Sequence, residues 1–237
     1  MKEIFSKIYR DRLWVDPFYS PSSDFPYYSG WGSHHEMAVS TYTKCVSNFL
    51  KSFDKKPDVL DLGCGDFNVG SKIRSLCGSY IATDIVPELI EFNKNKFSTL
   101  NVDFRVNDFT NLKDPLPSAD VIFIRQVLQH LSNADIQRFL PRLFGNYTWL
   151  VLTEHLPGHD FISNIDHVSY EKSRVLNNSV EMTSGQMQSS GIILTDPPFN
   201  LNIIEEKLLC NLKNKNSNLG DIRTIAYLLS AKGPTTC

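Results

Sequence analysis

The chain has 237 residues, 41% apolar and 21% charged, enough for one globular domain with a sizeable core and an added cap. Its formal net charge of −2 leaves no basic surplus to track a phosphate backbone, so nucleic acid is not the favoured partner. Charges break up the N-terminal stretch where a signal peptide needs its apolar segment, and no run approaches the ~18 apolar residues of a membrane span, so a soluble cytoplasmic protein is expected.

Residues 1–30 form an aromatic, proline-punctuated leader with Tyr9, Trp14, Phe18, Tyr19, Phe25, Tyr27 and Tyr28. Two readings stand: rings packed over the main core, or a lid over an active site. A helical pattern follows at about 34–52, with Met37, Val39, Tyr42, Val46, Phe49 and Leu50 facing inward.

From Pro57 the pattern alternates. Strands are predicted at 58–62, 79–83, 102–106, 120–125 and 147–153, with helices at 69–77, 87–97 and 133–144 between them. Ser132 and Asp135 resemble a capping box, and Pro87 suits a first helical turn. Beyond 154 the chain is less regular, with strands predicted at 191–195 and 222–229 and a helix-like stretch at 203–212. The sum is an α/β, Rossmann-like fold: a mostly parallel twisted sheet of about seven strands with helices on both faces, plus an N-terminal aromatic and helical cap. The expected division is a cap over 1–56 and a ligand-binding domain over 57–237, with acceptor-binding insertions at about 155–190. The five cysteines (45, 64, 77, 210 and 237) show no C-x-x-C pair and no zinc spacing, so no metal site is expected.

Right-handed crossovers place every parallel strand's carboxyl end on one edge, where ligands bind. The first strand ends in Asp61 and the Gly63–Gly65 turn, the second in Asp84, the third in Asn107-Asp108-Phe109, the fourth in Arg125-Gln126. Asp84 is placed to accept two hydrogen bonds from a ribose diol. Asp108 and Phe109 suit an adenine, one for the exocyclic amine and one for the ring face. A pyrophosphate would meet like charge at Asp61 and Asp66. S-adenosylmethionine carries no phosphate but an ammonium and a sulfonium, and suits an acidic turn whose glycines let it lie against the backbone.

VLDLGCG (59–65), YIATDI (80–85), VNDF (106–109) and DVIFIRQVLQHL (120–131), in that order, resemble the class I S-adenosylmethionine-dependent methyltransferases. The resemblance implies that Asp61, Gly63 and Gly65 hold the methionine part, Asp84 the ribose, and Asp108 with Phe109 the adenine. Cys64, Ile85, Asn107, Arg125 and Gln126 complete the expected cofactor contacts. One departure stands in the loop: where the family often has a third glycine, this chain has Phe67.

For a hydroxyl acceptor a base must remove a proton, and His130 and His155 follow strands on the cofactor edge. The structural alternative for His130 is a residue at a helix entrance. The leader, RQVLQHL and the Asn164, Asp166, Arg174, Asn177 stretch look like bacterial methyltransferases acting on small molecules or surface-glycan precursors. Tyr28, Trp31, Arg125, Glu154, Asn164, Asp166, Arg174 and Asn177 are the expected acceptor contacts, the arginines for an anionic group. Asp196-Pro197-Pro198-Phe199 resembles the D-P-P-Y/F signature of enzymes methylating base amines, but it lies far beyond the fourth strand, so it is read as a turn. A non-catalytic protein that keeps the fold is the remaining alternative.

Overall fold

The structure is a computed structural model that describes residues 1–15, 26–158, 160–166, 180–181, 187–188, 190–213 and 220–230. The leader begins with a helix, α1 (Lys2–Arg10), which the sequence reading missed. Phe5, Ile8 and Tyr9 recur at helical spacing and bury one face against Val86 and Leu89. A single turn, α2 (Trp31–His34), leads into α3 (Glu36–Lys51). Val39, Tyr42, Val46, Phe49 and Leu50 face inward as expected, but Met37 is 58% exposed because it lies on the opposite side of the first turn.

The alternating region gives β1 (Val59–Leu62), α4 (Gly70–Ile73, prolonged by a 3-10 turn), β2 (Tyr80–Asp84), α5 (Pro87–Lys96), β3 (Asp103–Val106), β4 (Val121–Arg125), α6 (Asn133–Phe139) and β5 (Trp149–Leu156). Ser132 Oγ accepts from the Asp135 N–H at 3.1 Å and starts α6. Pro141, which brings no N–H, falls where α6 tightens into a 3-10 turn. After two short antiparallel strands, β6 (Val180–Glu181) with β7 (Met187–Gln188), come β8 (Ile203–Leu212) and β9 (Asp221–Leu229).

The large sheet has the order β3-β2-β1-β4-β5-β9-β8. Its first five strands are parallel, while β9 runs antiparallel to both β5 and β8. Seven strands were expected, but their positions differ in two places. Residues 203–212 form the edge strand rather than a helix: pairing with β9 and packing on α3 override a local pattern that reads equally well as helix. Residues 191–195 form no strand. Ile192 and Leu194 are buried in the core, but the backbone there bonds to Asn164 and Leu201.

Alternate residues of each central strand feed two cores. Leu60, Leu62, Ile122, Ile124, Leu150 and Leu152 meet α6 on one side, and Val59, Val121, Phe123 and Val151 meet α3 on the other. Among the described residues no helix is long and apolar enough to cross a membrane.

Candidate active site

The order reverses between β1 and β4, which opens a crevice at the carboxyl edge of the sheet. A cavity there holds about 1000 Å³, its open mouth included. The strand-end residues Asp61, Gly63, Cys64, Gly65, Asp84, Ile85, Asn107, Asp108, Phe109, Arg125 and Gln126 all line it, together with His130.

The glycine turn is fixed by β2. The N–H groups of Gly63 and Cys64 both donate to the Thr83 carbonyl at 2.8 Å, and the Gly65 N–H donates to Asp84 Oδ2 at 3.1 Å. Gly63 and Gly65 have φ of +71° and +56°. A Cβ on Gly63 would lie 2.5 Å from Val127, and one on Gly65 would lie 2.4 Å from Ser29 Oγ. Only glycine fits both the backbone conformation and the space.

Phe67 shares the left-handed conformation, with φ +58°. For a side chain this costs ~1–2 kcal/mol. The compensation is a fully buried ring set edge-on to Phe104 at 4.9 Å, Phe97 at 5.2 Å and Tyr80 at 5.5 Å. Gly70 makes the room, since a Cβ there would sit 2.3 Å from that ring. Phe67 thus packs under the loop, away from the cavity.

Asp61 and Asp84 are buried carboxylates. Tyr80 Oη donates to Asp61 Oδ2 at 2.9 Å, and the Val86 N–H donates to Asp84 Oδ1 at 3.0 Å. Desolvation raises Asp61 to about 6, opposed by the Tyr80 hydroxyl and the Arg125 charge. Burial likewise lifts Asp84 to about 6, opposed by the backbone N–H groups of Val86 and Gly65. Asp108 accepts from the Thr110 N–H and hydroxyl at 3.0 and 2.6 Å. Arg142, which the sequence reading passed over, pins this loop through the Phe109 carbonyl at 2.7 Å.

The leader forms the opposite wall, through Met1, Phe5, Tyr9, Trp14, Ser29 and Ser33. It is fastened by Asp66. Asp66 Oδ2 accepts from the Ser29 N–H at 2.9 Å and meets His34 Nε2 at 2.6 Å, while the Asp66 N–H donates back to Ser29 Oγ at 2.8 Å. Asn68 adds a 2.7 Å bond to the Ser33 carbonyl. The Asp66 carboxylate is therefore a latch for the leader, and the like charge expected to face a ligand at this edge comes from Asp61 and Asp84.

Of the two histidines, His130 lines the cavity, with the Trp14 ring 5.0 Å and the Phe5 ring 6.4 Å away. His155 does not line it: it projects from β5 on the face that carries Val151 and pairs with Ile222 of β9. Among the expected acceptor contacts, several side chains are committed elsewhere. Glu154 accepts from the N–H groups of Val127, Leu128 and Gln129 at 3.2, 2.8 and 3.3 Å, holding the turn that carries His130. Asn164 exchanges side-chain bonds with the Ile193 backbone at 2.8 and 2.9 Å and donates to the Pro197 carbonyl, and Asp166 accepts from the Asn133 N–H at 2.8 Å. Buried backbone groups in that irregular segment need partners, and these side chains supply them.

Tyr28 stacks on His34 at 4.4 Å and Trp31 on His35 at 4.3 Å; neither lines the cavity. Arg125 lies 4.9 Å above the Tyr42 ring, with Nη1 donating to Ser33 Oγ at 3.1 Å and Nη2 to the Gly32 carbonyl. Its fork faces the leader rather than an anion, and burial lowers its pKa. Arg174 and Asn177 lie outside the described residues. None of Asp196, Pro197, Pro198 and Phe199 lines the cavity: Asp196 accepts from Ser163 at 2.7 Å, and Phe199 is buried in the core. No three described His, Cys, Asp or Glu residues are grouped to hold a metal ion.

Comparisons bear on this geometry. Residues 59–146 match a family model described as a methyltransferase domain. No curated protein sequence matches the chain. Among solved structures, the chain is similar to magnesium protoporphyrin IX methyltransferase from Synechocystis PCC 6803, solved with bound S-adenosylhomocysteine (14% identity, 97% of this chain, 100% of that one, TM-score 0.58). It is similar to the N-methyltransferase NodS of Bradyrhizobium japonicum WM9, also solved with S-adenosylhomocysteine (12%, 96% and 99%, TM-score 0.59). It is also similar to the bifunctional kinase-methyltransferase WbdD (15%, TM-score 0.55), of which it covers 43% while matching over 92% of its own length. Residues 59–146 thus match a methyltransferase-domain model, and the chain that carries them has the class I S-adenosylmethionine-dependent methyltransferase fold.

Proposed function

We propose that this chain transfers a methyl group from S-adenosylmethionine to an oxygen of a small acceptor, a sugar or a phosphorylated or nucleotide-linked sugar precursor. One observation carries the reading: the ordered strand-end residues and His130 share a single cavity closed by the aromatic leader. The walls fit the cofactor. Gly63 and Gly65 line the cavity with bare backbone, and Arg125 Nε and Gln126 Nε2 are buried donors with no partner among the described residues. Those donors suit a carboxylate, and the desolvated Asp61 suits an ammonium. Asp84 keeps acceptor capacity for a ribose diol, and Asp108 with Phe109 borders the adenine end.

When bound, S-adenosylmethionine supplies a methyl group already activated on a sulfonium. The chain's own part is alignment and proton removal. His130 takes the acceptor's hydroxyl proton, and Glu154 positions it by holding the backbone of residues 127–129. Trp14 and Phe5 beside it offer the apolar faces on which a sugar ring's C–H groups stack. Arg125, with both Nη atoms committed, favours the neutral part of such an acceptor over its phosphate.

The test combines calorimetry with methyl transfer from labelled cofactor to a panel of sugars, sugar phosphates, nucleotide sugars and nucleic acids. Cofactor binding lost in Asp84→Ala, with turnover on a sugar lost in His130→Ala, supports the reading. Absent cofactor binding in the unaltered chain sinks it, and labelling of a base amine alone moves the acceptor to nucleic acid.

A further inference from the structure

Cys45 on α3 and Cys210 on β8 face each other with their sulfurs 2.7 Å apart, although 165 positions separate them in the chain. Both are only partly buried, whereas Cys77 is buried and Cys64 belongs to the cavity wall. Cys45 Sγ also reaches the Tyr42 carbonyl at 3.2 Å, and Cys210 sits opposite Thr224 on β9. The sulfurs need to approach by only ~0.7 Å to reach the ~2.05 Å of a disulfide.

We infer that Cys45 and Cys210 form a redox-active dithiol that a low-molecular-weight disulfide such as oxidised glutathione converts into an intramolecular disulfide. The exchange balances in two steps. The Cys210 thiolate attacks one sulfur of oxidised glutathione, whose S–S bond breaks and whose other half leaves as a thiolate that takes up a proton. The Cys45 thiolate then attacks the Cys210 sulfur of the mixed disulfide, forming the protein bond and releasing the second glutathione. Two protein thiols are oxidised by two electrons, and one glutathione disulfide is reduced to two thiols.

The environment bears on the order of attack. Contact with the Cys45 sulfur, then the Thr224 hydroxyl and the Arg125 charge, lower the Cys210 thiol against the opposing effect of burial. The same sulfur–sulfur contact, followed by desolvation, raises Cys45. These influences favour Cys210 as the attacking thiol with Cys45 resolving, and the reverse order gives the same disulfide.

The bond has a structural consequence. Among the described residues β8 is the edge strand of the sheet, joined to it through β9. α3 carries Tyr42, one turn before Cys45, beneath the Arg125 guanidinium in the cavity wall. Oxidation staples the sheet edge to the helix that supports the site, and closes a very long loop in the unfolded chain.

The full chain is incubated with oxidised glutathione, its remaining thiols alkylated, and its non-reduced peptides mapped by mass. The expected result is a 45–210 cross-link, with a melting temperature higher by about 5–15 °C that dithiothreitol reverses. Cys45→Ser and Cys210→Ser each abolish the link and the shift. The inference is overturned if both cysteines still alkylate, if Cys210 keeps a glutathione adduct unresolved, or if the bond forms to another cysteine. The peptide map of the unaltered chain decides this even where a variant fails to fold.

Discussion

Acidification from pH 7 to pH 5 is expected to weaken S-adenosylmethionine binding by about tenfold for each cavity carboxylate that the ligand engages. Asp61 and Asp84 are both raised to about 6, because burial removes water that nothing in the protein fully replaces. Each folded value lies roughly two units above the ordinary carboxylate, or about 3 kcal/mol per group. The protein therefore has this stability in full below pH ~4 and loses it as pH rises through 6. An α-ammonium beside Asp61 and ribose hydroxyls donating to Asp84 favour the ionised forms and draw both values down. Protons then leave on binding at pH 5 and hardly at pH 7. With one group at about 6, the ionised fraction falls from roughly nine-tenths at pH 7 to one-tenth at pH 5. The ligand's own amine stays protonated over this range. Calorimetry at several pH values, in two buffers of different ionisation enthalpy, reads both the affinity and the protons released. Asp61→Asn should bind more weakly at pH 7 and show about half the logarithmic slope. Affinity that is flat or tighter at pH 5 would refute the desolvated-carboxylate account.

Other consequences are as direct. Asp66→Asn removes the charge that latches Ser29 and His34, so cofactor dissociation in stopped flow should accelerate several-fold, with a stability loss of about 1–3 kcal/mol. Phe67→Ala relieves no part of the left-handed backbone and empties a fully buried site, so denaturant melts should show about 3–5 kcal/mol lost. Asn164→Ala orphans backbone groups of the 193–197 turn and should cost about 1–3 kcal/mol in the same melts. Its KM for the acceptor should stay unchanged, and a raised KM would restore the contact role. His155→Ala should alter melting but not turnover, whereas His130→Gln should lower kcat with cofactor Kd unchanged.

The parallel half of the fold was legible because its physics is local. Short apolar runs alternate with helical segments, and each strand from 58 to 125 ends in a residue whose type already states a chemistry. Glycine at 63 and 65, Asp84 and the Asn107–Phe109 run are confined to one edge by crossover handedness alone. The β8 region was not legible. A run such as 203–212 satisfies helical and strand patterns alike, and only its pairing with β9 and its packing on α3 decides between them.

The acceptor side shows the same division. Glu154, Asn164 and Asp166 have the residue types of a binding site, but the structure uses each to satisfy backbone groups. Which of two suitable histidines meets the cavity depends on placement: His130 sits on the turn after β4, whereas His155 lies within β5 and pairs with β9. Sequence by itself determined the ligand edge and the charge of its walls, since both follow from strand order and residue type. Tertiary structure alone decided what closes the site. The Asp66 latch joins residues 37 positions apart and the paired thiols join residues 165 apart, and no local propensity encodes contacts across such distances.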